Sequence, residues 1–400
     1  MRLAFTAAWM LALGVPAISS HAAGGAPLQE ATFDDGASST GWIDFDFQDG
    51  KRIFIPAKVN GHDAQVLLAT GLPIPDIDRT FAASIGLPLK QDPTSKSPDG
   101  KNTTETVPGV QIQIGNLRLP NASAAVVDFA LLAQRIGHPL PFLLGDATFG
   151  SLVVDIDFAH HRIAFRDPSS QTKPIGSVEV PLTLAEDEHL VPVSIEGGPP
   201  AQFELGLGNS GEILIYQPYY ESHKLLENRK VSKRQAAGSG GIVVETVATL
   251  RSAQFAGVTF PNMPAAFVPA SVAGTTSAVI SGDIGLPVLT RFHLIIDYSH
   301  NRLYAAPYAD ASQQSLAKDR LGLALKKNAT EFTVQFVAPN SPSELAGFKA
   351  GDKIAMIDGK PPAAWSETLI ADLKYRASGT NLRFKMQDGG VRRVKLVDYF

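Results

Sequence analysis

The sequence predicts a mainly β protein, with two copies of a compact all-β unit followed by a small α+β module. Three observations lead there. One long segment recurs in order, with matched blocks offset by 136 to 141 positions. Within each copy, short runs rich in Val, Ile, Leu and Phe alternate with Gly, Pro, Asn and Asp, the pattern of strands and turns. From about residue 318 the pattern changes, and a capping box followed by a mixed helix and strand pattern takes over.

A composition of 44% hydrophobic and 18% charged residues suits a folded chain of two or three domains. A formal net charge of −4 gives no reason to expect nucleic acid or an anionic membrane as partner. There are no cysteines, so disulfides, thiolate chemistry and cysteine zinc sites are all excluded. The nine histidines show no metal-ligand spacing, and no cofactor is expected.

Residues 1–22 read as a secretory signal. Arg2 precedes an apolar stretch over residues 3–18 that Gly14 and Pro16 interrupt, and Ser20-His21-Ala22 offers small residues for cleavage. The stretch is short for a membrane span, although an uncleaved anchor is the alternative. No second apolar run of spanning length follows Ala22, so the exported chain is expected to have no membrane span, in the periplasm or outside the cell.

The first copy covers residues 41–167 and the second 178–307. Val59-Asn60-Gly61 and the following Ala64 to Gly71 reappear as Ile195-Glu196-Gly197 and Ala201 to Gly208. Glu105-Thr106-Val107 returns as Glu245-Thr246-Val247, and Leu119-Pro120-Asn121 as Phe260-Pro261-Asn262. Each copy closes alike, on Ile156-Asp157-Phe158 and on Ile296-Asp297-Tyr298. Strands are expected over residues 52–59, 110–114, 152–156, 242–247 and 294–296. Short helices should follow at residues 78–85 and 218–226. The polar, turn-rich residues 168–177 suit a linker.

In the last segment, residues 318–400, Ser341-Pro342-Ser343-Glu344 starts a helix, and Gly347 ends it in a left-handed conformation. Residues 352–357 read as a strand and Asp358-Gly359 as a tight turn. Residues 365–376 place Leu369, Ile370 and Leu373 on one helical face, and strands over 382–386 and 391–397 finish the module.

The repeated blocks resemble the aspartyl protease families, specifically the bacterial retropepsin-like proteins. Val66-Leu67-Leu68 leads into Ala69-Thr70-Gly71, and Phe203-Glu204-Leu205 into Gly206-Leu207-Gly208, where the family carries Asp-Thr-Gly. Leu143-Leu144-Gly145 and Asp283-Ile284-Gly285 resemble its second motif. The resemblance implies two β-barrel halves. It also implies two carboxylates that share a proton and activate water, at positions that here hold Ala69 and Gly206, while Leu207 replaces a threonine. The expectation is a retained fold without a catalytic pair.

Other constellations read as structural. Asp76 and Asp78 are expected to cap or solvate the helix after them, although either could be a displaced acid. Asp157 and Asp297 should open turns, and His160-His161 should be solvated. Gly238-Ser239-Gly240-Gly241 has no paired base and reads as a flexible loop where the family's flap would lie, and the basic residues 224–234 read as a solvated face.

The last segment looks like a PDZ domain on Leu321-Gly322-Leu323-Ala324 and on residues 341–361. That resemblance implies backbone amides at Leu321, Gly322, Leu323 and Ala324 cradling the carboxylate of peptides or protein C-termini. A module that merely packs on the body is the other reading of this segment. For the whole chain, the leading reading is an exported non-catalytic pseudoprotease that binds peptides or protein partners. The alternatives are an active aspartyl-type peptidase using other carboxylates, and a structural subunit whose partner supplies activity.

Overall fold

In Arg52–Val59 and in the last three residues of His62–Leu68, apolar side chains are buried on both faces of the sheet. Ile53, Ile55, Val66 and Leu68 point into the main core, and Phe54 and Leu67 point to a second cluster on the opposite face. The computed structural model describes residues 31–48, 50–70, 72, 74–96, 103–145, 149–170, 173–186, 188–238, 241–270, 279–313 and 315–400. The signal segment, Gly71, and Ser239 and Gly240 of the expected flap lie outside the described residues.

The first sheet runs Lys90–Lys96, Thr103–Ile114, Arg52–Val59, His62–Leu68, Phe142–Leu144, Asp76–Asp78 and Leu117–Val127. Leu117–Val127 pairs again with Thr103–Ile114, which closes six strands into a ring. A second such sheet runs Val231–Gly238, Gly241–Phe255, Glu188–Ile195, Ala201–Gly206, Ile280–Gly285, Ile213–Tyr216 and Val258–Val268. There Val258–Val268 returns to Gly241–Phe255 and closes the ring. The strand order is the same in both.

A six-stranded sheet joins the two barrels, with Val153–Asp157 antiparallel to Phe292–Asp297 at its centre. Val153 pairs with Asp297 and Ile156 with Leu294. One core cluster runs through both barrels, from Ile53 and Phe142 to Phe203 and Phe292. Asp157 and Asp297 open turns as expected, accepting from the amides of His160 at 3.3 Å and His300 at 3.2 Å. Each is also buried against an arginine, Arg162 or Arg302, at 2.9 Å. His160 is exposed, but its ring is tied to Asp157 at 2.7 Å.

The last domain is a separate five-stranded sheet of Leu323–Lys327, Phe332–Val337, Lys353–Ile357, Asn381–Met386 and Val391–Lys395, around Leu321, Phe332, Ile354, Leu373 and Phe384. Its capping box forms with one partner shifted, since the Glu344 side chain reaches the amide before the Ser341 cap and not that of the cap itself. Ser341 Oγ accepts from the Glu344 amide at 3.2 Å, and Glu344 accepts from the Asn340 amide at 2.7 Å. The helix expected over 365–376 is shorter, Glu367–Asp372, followed by a 3-10 turn at Leu373–Tyr375. Ile370 and Leu373 are buried and Leu369 is half exposed. No described helix is long and apolar enough to cross a membrane.

Candidate functional site

The two strands that carry the repeated motif end in turns that meet. His62–Leu68 lies parallel to Phe142–Leu144, and the Ala69 amide then donates to the Leu144 carbonyl at 3.0 Å. Ala201–Gly206 lies parallel to Ile280–Gly285 in the same way, and Asn209 turns back onto the Gly206 carbonyl at 3.1 Å. Thr70 Oγ1 donates to the Leu205 carbonyl and accepts from the Leu207 amide at 3.0 Å, which ties one turn to the other. The approach is close enough that a Cβ on Gly208 would stand 3.1 Å from the Ala69 Cα. Leu207 offers no hydroxyl to return the Thr70 contact.

Neither Ala69 nor Gly206 bears an ionisable group, yet the surroundings of the two differ. Directly opposed residues across the first barrel run Phe54, Leu67, Leu143 and Asp76. The matching row in the second barrel runs Leu190, Glu204, Asp283 and Leu214. The first row is apolar around Ala69 up to Asp76, whereas the second places two carboxylates side by side. Asp283 fills the space that a side chain at 206 would need, since a Cβ there would lie 2.0 Å from Asp283 Oδ1.

Burial raises the Asp283 carboxyl from 3.8 to about 7, with Glu188 adding to the rise and a 3.1 Å hydrogen bond from Asn209 opposing it. Glu204 is also pushed up, first by burial and then by the charges of Glu188 and Asp283 and a hydrogen bond to Glu188. Tyr216 donates to both Glu204 oxygens, at 3.1 and 3.2 Å. This is a proton-sharing cluster with one phenol as donor. Among the described residues, no group of three or more His, Asp or Glu is placed to hold a metal ion.

Asp78 behaves as the sequence suggests, capping Arg79–Ser84 through the Phe81 amide at 2.9 Å. Asp76 does not. It is buried on the face of Leu143, and burial raises its carboxyl to about 7. The basic stretch is not wholly solvated either. Arg229 reaches Glu196 at 2.7 Å and Arg234 pairs with the buried Glu245 at 2.7 Å. The sequence reading missed Glu188, Glu204, Asp283, Asn209 and Tyr216. The signal was present in the repeat itself, where Glu204 stands opposite an apolar Leu67 in the alignment and Asp283 opposite Leu143.

In the last domain, Leu323–Lys327 is an edge strand with one neighbour, Phe332–Val337. Leu321, Gly322 and Leu323 are buried and Ala324 is partly so. Gly322 has φ +70°, and a Cβ on it would lie 2.2 Å from the Ser341 Cβ, so only glycine fits. The amides of Leu321 and Gly322 both point at Asp319 Oδ1, at 2.9 and 2.7 Å.

A family model described as aspartyl protease matches residues 55–147, and one described as PDZ domain matches residues 320–394. Among solved structures, a retropepsin-like aspartic protease from Rickettsia conorii is 18% identical, over 34% of this chain and 92% of its own, with a TM-score of 0.24. The comparison with curated proteins gave no match. The chain therefore carries an aspartyl protease family segment and a PDZ domain.

Proposed function

We propose that this is an exported, non-catalytic protease-like protein that binds peptides or protein partners through its cleft, its PDZ groove, or both. In this reading it is a duplicated unit, residues 41–167 and 178–307, with the PDZ domain after it. The observation that carries the reading is the content of the two meeting turns. Hydrolysis by this fold needs one carboxylate to take a proton from water and another to protonate the leaving amine. Ala69 and Gly206 supply neither. Export rests on residues 1–22, and N-terminal sequencing of protein from its native compartment tests it. A mature chain should start near Ala22, and an intact Met1 refutes export with cleavage.

A second reading, a peptidase with relocated carboxylates, is favoured by Asp283, whose carboxylate occupies the space of the missing side chain beside Glu204 and Glu188. One experiment separates the two. Purified protein is incubated with an unfolded protein substrate from pH 4 to pH 8. The expected outcome is no cleavage above background. Cleavage that Asp283→Asn abolishes would overturn the non-catalytic reading. Restoring activity by Ala69→Asp, Gly206→Asp and Leu207→Thr is expected to fail unless Asp283 is also replaced, because the new side chain at 206 collides with it.

A further inference from the structure

The loop that leads into the PDZ edge strand already holds an anion. Successive backbone N–H groups around a residue of positive φ form a concave nest that attracts negative charge. At Leu321 and Gly322 such a nest is filled by the Asp319 carboxylate, through two charge-assisted bonds of 2.9 and 2.7 Å. We propose that Asp319 is an internal stand-in for a ligand's terminal carboxylate, so that in the resting protein the PDZ cradle is self-occupied. The proposal rests on the peptide-binding reading and adds a regulatory contact to it.

The loop is held from several sides. The Arg320 amide donates to the Lys374 carbonyl at 2.8 Å, and the Arg320 side chain pairs with Asp398 at 2.6 Å. Asp319 also acts on groups at the seam with the protease-like body. Its charge favours the Lys374 ammonium, after Tyr375, while Arg234 of the body opposes it. Expelling Asp319 therefore removes a negative charge from beside Lys374 as well as breaking two hydrogen bonds. A carboxylate tethered two or three residues from the amides competes at an effective concentration of roughly millimolar or higher. An incoming chain terminus gains little by replacing it. The edge of Leu323–Lys327 stays open to strand addition by a segment of any kind, with or without a free terminus.

The test uses the full chain and a library of ten-residue peptides ending in aliphatic residues, each made as free acid and as C-terminal amide. Affinities are measured by anisotropy titration for wild type, Asp319→Asn and Asp319→Ala. Asn keeps an acceptor oxygen, and so the loop, without the charge; Ala removes both. The wild type is expected to bind acid and amide forms within about twofold of each other. Asp319→Ala should bind the acid at least tenfold more tightly than the amide, with Asp319→Asn in between. A wild type that already prefers the acid tenfold overturns the self-occupied cradle and leaves peptide binding standing. So does binding whose acid-to-amide ratio neither substitution moves. If none of the three proteins binds any peptide, peptide capture by the PDZ domain falls, and this proposal falls with it.

Discussion

Gly206 and Asp283 form one unit, since the carboxylate is where it is only because the backbone beside it has no side chain. The placement has a measurable cost. An ordinary aspartate ionises near 3.8, and Asp283 in the fold near 7. Below about pH 4 it is protonated in both states and costs nothing. As pH rises toward 7 the unfolded chain releases the proton and the folded one does not, so stability falls, and the loss is complete above the folded value. At about 1.4 kcal/mol per unit of that rise, the penalty is on the order of 4 kcal/mol. Asp283→Asn should match wild type in urea unfolding at pH 4 and exceed it by about that amount at pH 8. A variant less stable than wild type at pH 8 would show that the charged carboxylate is held by partners that outweigh its burial.

At the scale of elements, one hydroxyl hydrogen-bonds the two turns to each other among the described residues. Thr70→Val keeps the shape but removes the donor to Leu205 and leaves the buried Leu207 amide with only its 3.2 Å contact to the Leu205 carbonyl. The loss should be about 1–3 kcal/mol, with Thr70→Ser costing less, read by chemical denaturation at fixed pH. Strands such as Arg52–Val59 and the capping box at Ser341 were legible because their signals are local, an apolar run between turns and a fixed residue spacing. Leu369 reads as core-facing because its spacing to Leu373 is helical, yet the buried face runs through Ile370 and Leu373 and leaves it half exposed. Asp76 was misassigned for another reason. A carboxylate two residues before a helix looks like a cap until the sheet register places it opposite Leu143. The acidic row of the second barrel needs the distant strand Ile280–Gly285 to lie beside Ala201–Gly206, and only their register brings Glu204 and Asp283 together.

In the whole molecule the PDZ domain touches both barrels. Lys51 of the first lies 3.6 Å from Asp372 and over the Tyr375 ring. From the second, Ser232 donates to the Pro339 carbonyl, and Thr249 donates to that of Phe400 at 3.0 Å. The deeper tie between the barrels is the ladder of Val153–Asp157 on Phe292–Asp297. A ribosome finishes the first of these strands long before the second, and at about 5–20 residues per second the wait is on the order of ten seconds. A first barrel that folded before its partner strand would have a bare row of amides and carbonyls flanked by Val153, Val154 and Ile156, an edge open to pairing with a neighbouring copy. That edge is closed only when Phe292–Asp297 of the second barrel arrives to pair with it.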